Sequence, residues 1–227
     1  MQAAANLDNR LTQDTLRLKV CGMRQAENIE AILALKPDYL GFIFYPKSSR
    51  FVGEELPAEI LNQIPTSTQK VGVFVNEPVA NILEKVRKYK LDAVQLHGEE
   101  SPAMCQELKA ASLIVLKAFS VDDAFDFNTL KPYEGTCHYY LFDTKGKEYG
   151  GNGVRFNWEI LKNYSGETPF FMSGGIDLEH AAQIKALELP LLKGIDINSR
   201  FELSPALKDS NKVASFFRQI REPETTT

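Results

Sequence analysis

Cysteine is scarce in this sequence, and long hydrophobic runs are missing from it. Its 227 residues include three cysteines, Cys21, Cys105 and Cys137, with neither a CxxC pair nor a cysteine–histidine array. We therefore expect no disulfide framework, no metal site and a reducing, cytoplasmic location. No apolar stretch approaches the roughly 18 residues of a membrane span, so we expect no contact with membranes.

An excess of basic residues is also missing. The chain carries 26 Lys and Arg against 30 Asp and Glu, a net charge of −4, which disfavours binding to a nucleic-acid backbone. A small anionic metabolite stays possible as a ligand, because local charge decides that interaction. Residues 1–15 lack the basic flank and apolar core of a signal peptide, and we interpret them as a flexible extension.

Apolar strand patterns alternate with helical patterns along the whole chain. Strand-like segments such as "RLKVCG" and "DYLGFIF" are each followed by a helical segment, eight times in all. This rhythm predicts a single-domain (β/α)₈ TIM barrel over residues 16–222, with 223–227 as a C-terminal tail. An open doubly wound sheet is the rival, but no GxGxxG follows the first strand.

In such a barrel the reacting groups lie where strands end and the following loops begin. Polar, reactive and glycine residues occupy these positions in this sequence. They are Cys21, Arg50, His97, Asp143, Gly174, Gly175, Asp196 and Asn198. The fold predicts that these residues, far apart in the chain, meet at one mouth.

Cys21 ends the first strand and is followed at once by Gly22. A free cysteine is ordinarily a small buried hydrophobe, but one at a strand end near cationic groups can act as a base or a nucleophile. Strand alternation puts Lys19 on the same side as Cys21, where it is a candidate for compensating positive charge or points deeper into the barrel. Cys105 and Cys137 are interpreted as structural.

Asp143 ends the sixth strand and precedes the glycine-rich loop 145–153. The carboxylate could cap this loop or pair with Lys145 or Lys147. Alternatively, Gly150, Gly151 and Gly153 make the loop a lid, under which Asp143 is an acid shielded from water.

The seventh and eighth strands end in "MSGGI" and "KGIDINSRFE", the usual phosphate position in this architecture. Backbone N–H groups near Gly174, Gly175, Asn198 and Ser199 are candidates for holding a phosphate. After the second strand, Arg50 could pair with a substrate carboxylate or be solvated in its loop. His97 could line the site or cap a loop.

Seven ordered blocks together resemble the phosphoribosylanthranilate isomerase family of tryptophan biosynthesis. They span roughly residues 17–220 and are "KVCGMRQAENIEAIL", "DYLGFIFYPKSSRFV", "KVGVFVNEP", "AVQLHGEE", "LFDTKGKEYGGNGVRFNW", "FFMSGGI" and "GIDINSRFE…LKD". The resemblance implies a cofactor-free and metal-free (β/α)₈ barrel that converts N-(5′-phosphoribosyl)anthranilate to 1-(2-carboxyphenylamino)-1-deoxyribulose 5-phosphate, an Amadori rearrangement.

The resemblance also implies roles for individual residues. Asp143 is the general acid that opens the ribose ring, Cys21 is the general base that takes the C2′ proton, and Arg50 recognises the anthranilate carboxylate. His97, Gly174, Gly175, Asp196, Asn198 and Ser199 complete the substrate site. We expect surroundings that favour a Cys21 thiolate and a neutral Asp143.

One position departs from the family pattern. Much of the family has glycine after the last serine, whereas here Arg200 and Phe201 follow Ser199. Arg200 either contacts the phosphate directly or points outward.

Two other functions are alternatives to the isomerase. Another phosphosugar barrel, such as indole-glycerol-phosphate synthase, is the runner-up, but it would need a lysine and glutamate acid–base set that we cannot assign in this sequence. A barrel that binds a metabolite without turnover is disfavoured by the intact Cys21 and Asp143. The expected partner is a small phosphosugar–anthranilate substrate, and the chain is a monomer or a homodimer.

Overall fold

The computed structural model of the protein describes residues 16–53, 56–144 and 157–222. The predicted extension 1–15, the tail 223–227 and the glycine-rich loop 145–153 lie outside the described residues, as do the predicted pairings of Asp143 with Lys145 or Lys147.

Eight parallel strands form a closed barrel, which confirms the predicted (β/α)₈ architecture. They are β1 Arg17–Val20, β2 Tyr39–Ile43, β3 Gln69–Phe74, β4 Ala93–Leu96, β5 Ile114–Val121, β6 Tyr139–Thr144, β7 Phe170–Met172 and β8 Leu192–Ile197. The barrel closes where β8 pairs with β1, with Lys19 opposite Asp196.

Helices follow the strands on the outside of the barrel. The α-helices are α1 Ala26–Leu33, α2 Ala58–Asn62, α3 Val79–Tyr89, α4 Pro102–Ala110, α5 Ala181–Lys185 and α6 Ser210–Arg221. The described ranges also contain four short 3₁₀ helices, at Phe127–Tyr133, Trp158–Asn163, Leu178–His180 and Ser199–Phe201.

Two segments predicted to be α-helical are 3₁₀ helices instead. The fifth helical segment, after β5, contains Pro132, which lacks the N–H that a longer α-helix would use. The sixth, after β6, begins after Asn157, whose side chain accepts a hydrogen bond from the N–H of Glu159. Both segments still bury an apolar side, since Leu130 and Leu161 lie in the core.

The last helix has a polar N-cap. Asp209 caps it by accepting hydrogen bonds from the N–H groups of Asn211 and Lys212, so α6 begins at Ser210. The preceding residues form a small antiparallel hairpin, β9 Glu202–Ser204 and β10 Leu207–Lys208, at the carboxyl end of β8.

The alternation of side chains along the strands divides the core into two parts. Leu18 and Val20 belong to the large apolar shell between barrel and helices, whereas Lys19 and Cys21 point into the barrel. Inside, an apolar cluster fills the lower barrel and includes Phe171. A polar and charged layer lies above this cluster, toward the carboxyl ends of the strands.

No helix in the described ranges is long and apolar enough to cross a membrane.

Candidate active site

Two glycines make room for Cys21 at the end of β1. Gly22 has a φ of +78°, a left-handed conformation that turns the chain directly after the thiol. Gly41 of β2 faces Cys21, and a Cβ on Gly41 would lie 2.7 Å from the Cys21 Sγ. The thiol therefore occupies space that any other residue at position 41 would fill.

The charges around Cys21 act in opposite directions on its protonation. Burial raises the pKa of the Cys21 thiol, and the nearby Asp196 carboxylate adds to that effect. Lys19 and Lys208 oppose it by favouring the thiolate. The net shift of the Cys21 pKa is upward, so these surroundings favour the neutral thiol, whereas the sequence predicts surroundings that favour the thiolate.

Lys19 lies directly beneath Cys21 and forms an ion pair with Asp196 of β8. Its ammonium Nζ is 2.9 Å from the Asp196 Oδ1, and both side chains are buried. Burial by itself lowers the pKa of Lys19, but the Asp196 carboxylate and Cys21 reverse the shift and raise it. The ion pair with Asp196 thus favours the charged form of Lys19 at the base of the site and fixes the position of the Asp196 carboxylate.

Asp143 is brought next to His97 at the mouth. The Nε2 of His97 is 3.2 Å from the Asp143 Oδ2, and the N–H of Thr144 donates to the Asp143 Oδ1 at 2.9 Å. Gly174 allows this approach, because a Cβ there would lie 2.8 Å from the Asp143 Oδ1 and because its φ is +87°. Asp143 and His97 also act electrostatically on Asp196, which places them in the same charged layer.

Arg50 reaches the other side of the mouth, where it forms a fork with Glu202. Its Nε and Nη2 donate to the Glu202 carboxylate at 2.8 to 3.0 Å. Lys208 donates to the same carboxylate at 2.5 Å and to the Asn198 Oδ1 at 2.7 Å. The proximity of Gly22 to Arg50, Asn198 and Lys208 places this cluster beside Cys21.

Glu202 and Lys208 are site residues that the sequence analysis does not identify. Both belong to the β9–β10 hairpin, a short element without a pattern of its own. Burial by itself raises the pKa of Glu202, but its contacts with Arg50 and Lys208 outweigh burial and lower the pKa, which favours the charged carboxylate. The only sequence signal is the presence of two charged residues shortly after a strand end.

The loops after β7 and β8, where the sequence predicts phosphate binding, lie side by side. Gly174 and Gly175 both have positive φ values, +87° and +64°. Lys212 of α6 connects the two loops by donating to the Arg200 carbonyl at 2.7 Å and pairing with Asp177 Oδ1 at 2.7 Å. Arg200 itself is exposed and acts on Asp177 electrostatically.

The predicted residues thus converge on the carboxyl ends of the strands. Cys21, Arg50 and Asn198 lie on one side, and His97, Asp143 and Gly174 on the other, with Lys19 and Asp196 beneath. Within the described ranges, no group of three or more His, Cys, Asp or Glu side chains is arranged to hold a metal ion.

Comparison with known proteins identifies relatives over nearly the whole chain. A family model described as N-(5′-phosphoribosyl)anthranilate (PRA) isomerase matches residues 18–219. The N-(5′-phosphoribosyl)anthranilate isomerase of Parabacteroides distasonis is 46% identical over 212 residues, which cover 92% of this chain and 96% of that protein.

Solved structures agree with this match. The phosphoribosyl anthranilate isomerase of Thermotoga maritima superposes with a TM-score of 0.81 at 33% identity, covering 91% of this chain and 98% of that one. A phosphoribosyl anthranilate isomerase in complex with reduced 1-(o-carboxyphenylamino)-1-deoxyribulose 5-phosphate gives a TM-score of 0.78 at 30% identity, with 91% and 98% covered.

Proposed function

The chain belongs to the N-(5′-phosphoribosyl)anthranilate isomerase family, and we propose that Cys21 and Asp143 perform its reaction as base and acid. The protein is an enzyme of tryptophan biosynthesis that isomerises N-(5′-phosphoribosyl)anthranilate to 1-(2-carboxyphenylamino)-1-deoxyribulose 5-phosphate. The observation that supports the assignment is the placement of a thiol and a carboxyl group in one buried, charged layer at the barrel mouth.

The reaction begins with opening of the ribose ring. Asp143 gives a proton to the ring oxygen while the nitrogen lone pair forms a double bond to C1′, which leaves a protonated Schiff base. The Asp143 carboxylate that remains is held by the N–H of Thr144 and by His97. These contacts stabilise the negative charge that the acid acquires.

Removal of the C2′ proton follows. Cys21 takes this proton, and its electron pair moves toward the cationic nitrogen to form an enolamine. Cys21 then delivers its proton to C1′, the C2′ hydroxyl gives its proton to the Asp143 carboxylate, and the aminoketose results. The proton that the Cys21 thiol releases to solvent when the Schiff base forms is regained after product release, so the enzyme ends in its starting state.

The raised pKa of Cys21 is consistent with this order of steps. In the unliganded site, burial favours the neutral thiol. The Schiff base brings a positive charge next to the thiol, which, together with Lys19 and Lys208, favours the thiolate when the base is needed. The base is thus activated by the first chemical step.

Substrate binding is assigned to the two sides of the mouth. Glu202 holds the Nε and Nη2 of Arg50, which orients the guanidinium so that its Nη1 side is presented to the anthranilate carboxylate. Backbone N–H groups near Gly174, Gly175, Asn198 and Ser199 bind the phosphate. His97 and Asp196 shape the site between them, and the enzyme works in the cytoplasm without metal or organic cofactor.

Turnover by purified variants tests the assignment. Loss of the anthranilate-like fluorescence of the substrate measures kcat. Cys21→Ser and Asp143→Asn should lower kcat by roughly 10²–10⁴-fold with the fold retained.

Two matched controls accompany these variants. Cys105→Ala changes a buried cysteine of α4, and Asp92→Asn changes a carboxylate at the opposite end of the barrel. Both controls should keep the wild-type kcat. Folded Cys21→Ser and Asp143→Asn proteins that turn over at the wild-type rate would overturn the assignment.

A further inference from the structure

Gln95 lies inside the barrel, beneath the acid side of the mouth. Its side chain is buried, and its Nε2 is 2.7 Å from the Nδ1 of His97. The Nε2 of His97 is in turn 3.2 Å from the Asp143 Oδ2. The three side chains form a chain of polar contacts that runs from the barrel interior to the proposed acid.

The other end of the Gln95 amide has no visible partner. Its Oε1 is fully buried, and within the described ranges no donor lies within hydrogen-bond distance. The neighbours of Gln95 in the sheet are Val73 and Leu116, so an apolar side chain would suit this position. A buried amide with one unsatisfied end is unfavourable for folding alone, which points to a role in the site.

An amide that faces a histidine ring nitrogen determines where the ring carries its proton. With Nε2 of Gln95 toward Nδ1, the Nδ1 accepts, and a neutral ring carries its hydrogen on Nε2, which donates to an Asp143 carboxylate. This arrangement holds one proton between His97 and Asp143. When the pair holds a second proton, that proton is on the His97 Nδ1 or on the Asp143 carboxyl group. If Nδ1 carries a hydrogen, the Gln95 amide can turn by about 180° so that its Oε1 accepts from Nδ1–H.

We propose that Gln95 is a positioning residue that sets the tautomer of His97 and thereby the proton load of the His97–Asp143 pair. The amide as found stabilises the pair with one proton, which is the state after Asp143 has protonated the ring oxygen. The rotated amide stabilises the pair with two protons, which is the state ready to donate. The proposal rests on the acid role of Asp143 given above.

Other charged groups also face the pair. Asp196, paired with Lys19, lies toward β8 and β1, together with the Cys21 thiol. On the β5 side, Lys117 pairs with Glu100 at 3.2 Å and donates to the Gly98 carbonyl, next to His97. Gln95→Met leaves the residues of these groups in place and adds no charge, so its effect reports the loss of the amide.

Nitrogen-15 NMR of the histidine rings tests the proposal directly. The chain has three histidines, so a variant lacking His97 assigns the signals of its ring. In the wild type at neutral pH, the His97 signals should show a hydrogen on Nε2. Gln95→Met should give a mixture of tautomers, and Gln95→Glu should shift the hydrogen to Nδ1, because a carboxylate only accepts.

The pH dependence of turnover provides the second readout. Gln95→Glu should move the basic limb of the kcat/KM profile upward by about one pH unit, since the carboxylate favours the two-proton state. Gln95→Met should lower kcat by roughly tenfold with little change in KM. Gln69→Met is the control, because Gln69 lies at the start of β3, where its amide donates to the Thr66 carbonyl.

Two results would overturn the proposal. The first is a wild-type His97 ring that carries no hydrogen on Nε2. The second is a Gln95→Met protein in which the His97 tautomer is the same as in the wild type. The second result is decisive even if Gln95→Glu does not fold. Failure of the acid role is recognised separately, because Asp143→Asn would then turn over normally while the resting tautomer still responded to Gln95.

Discussion

Replacement of Gly41 by alanine should slow turnover while the barrel remains folded. A Cβ on Gly41 would lie 2.7 Å from the Sγ of Cys21 and 3.1 Å from its Cα. Rotation of the thiol relieves the first contact but not the second, so β1 itself has to shift. The Sγ must move by about 0.7 Å to reach the 3.4 Å at which ordinary contact begins.

The size of this shift sets the expected loss of activity. A misplacement of about 1 Å in a reacting group costs on the order of 10²-fold, so we expect kcat to fall roughly 10- to 100-fold. The added methyl group should also lower the free energy of unfolding by about 1–3 kcal/mol. Steady-state loss of substrate fluorescence measures kcat, and urea denaturation measures stability.

Gly72→Ala is the matched control for crowding. A Cβ there would lie 2.6 Å from the Leu91 Cδ1 and 2.7 Å from the Phe74 Cε2, in the shell outside the barrel. This variant should lose stability but keep the wild-type kcat. The reasoning is refuted if folded Gly41→Ala retains full kcat, or if Gly72→Ala loses as much kcat as Gly41→Ala does.

Three more predictions concern charge and burial. Arg50→Ala should raise KM roughly 10- to 150-fold, because one charge-assisted contact contributes about 1.5–3 kcal/mol. The control Arg24→Ala should leave KM unchanged, because Arg24 donates to the Phe51 and Pro205 carbonyls. Lys19→Met leaves Asp196 buried and unpaired and should lower the free energy of unfolding, measured with urea, by about 3–5 kcal/mol. The control Lys70→Met should lower it by at most about 1 kcal/mol, because its partner Asp92 is partly exposed. Equal losses in the two variants would contradict this prediction. Burial raises the pKa of Cys105 to about 11 and that of Cys137 to about 12, whereas thiols in the unfolded chain titrate near 8.5. Above about pH 8.5 the unfolded state therefore loses thiol protons before the native state does. The free energy of unfolding should then fall by up to about 1.4 kcal/mol per pH unit for each thiol, until the native thiols titrate. Cys105→Ala should show a shallower alkaline slope, and an identical slope would count against this cause.

The barrel is predictable from the sequence because each strand carries a dense apolar pattern and each connection is long enough for a helix. The type of helix is less predictable. Residues three apart share a face in both α- and 3₁₀ helices, so the apolar pattern of Trp158–Asn163 does not distinguish its 3₁₀ helix from an α-helix. The hairpin of β9 and β10 is missed because strands of two and three residues carry no periodic signal.

The candidate site, too, contains residues that are predictable from the sequence and residues that are not. Cys21, His97 and Asp143 are predictable because the barrel architecture assigns the ends of strands to the mouth. The contacts of Arg50 are not, because its partner Glu202 follows it by 152 residues and belongs to the hairpin. Gln95 is missed because one polar residue inside a strand acquires meaning only when its neighbour His97 is seen to contact Asp143.

Transfer of the C2′ proton to Cys21 is the central step of the proposed mechanism, and an isotope effect tests it directly. The kcat of wild type and of Cys21→Ser is measured with ordinary substrate and with substrate deuterated at C2′. We predict that Cys21→Ser is slowed by roughly 10²–10⁴-fold and shows a large primary isotope effect, because removal of that proton becomes rate-limiting. A folded Cys21→Ser enzyme with the wild-type kcat, or a slowed one without an isotope effect, would contradict the assignment of Cys21 as the base.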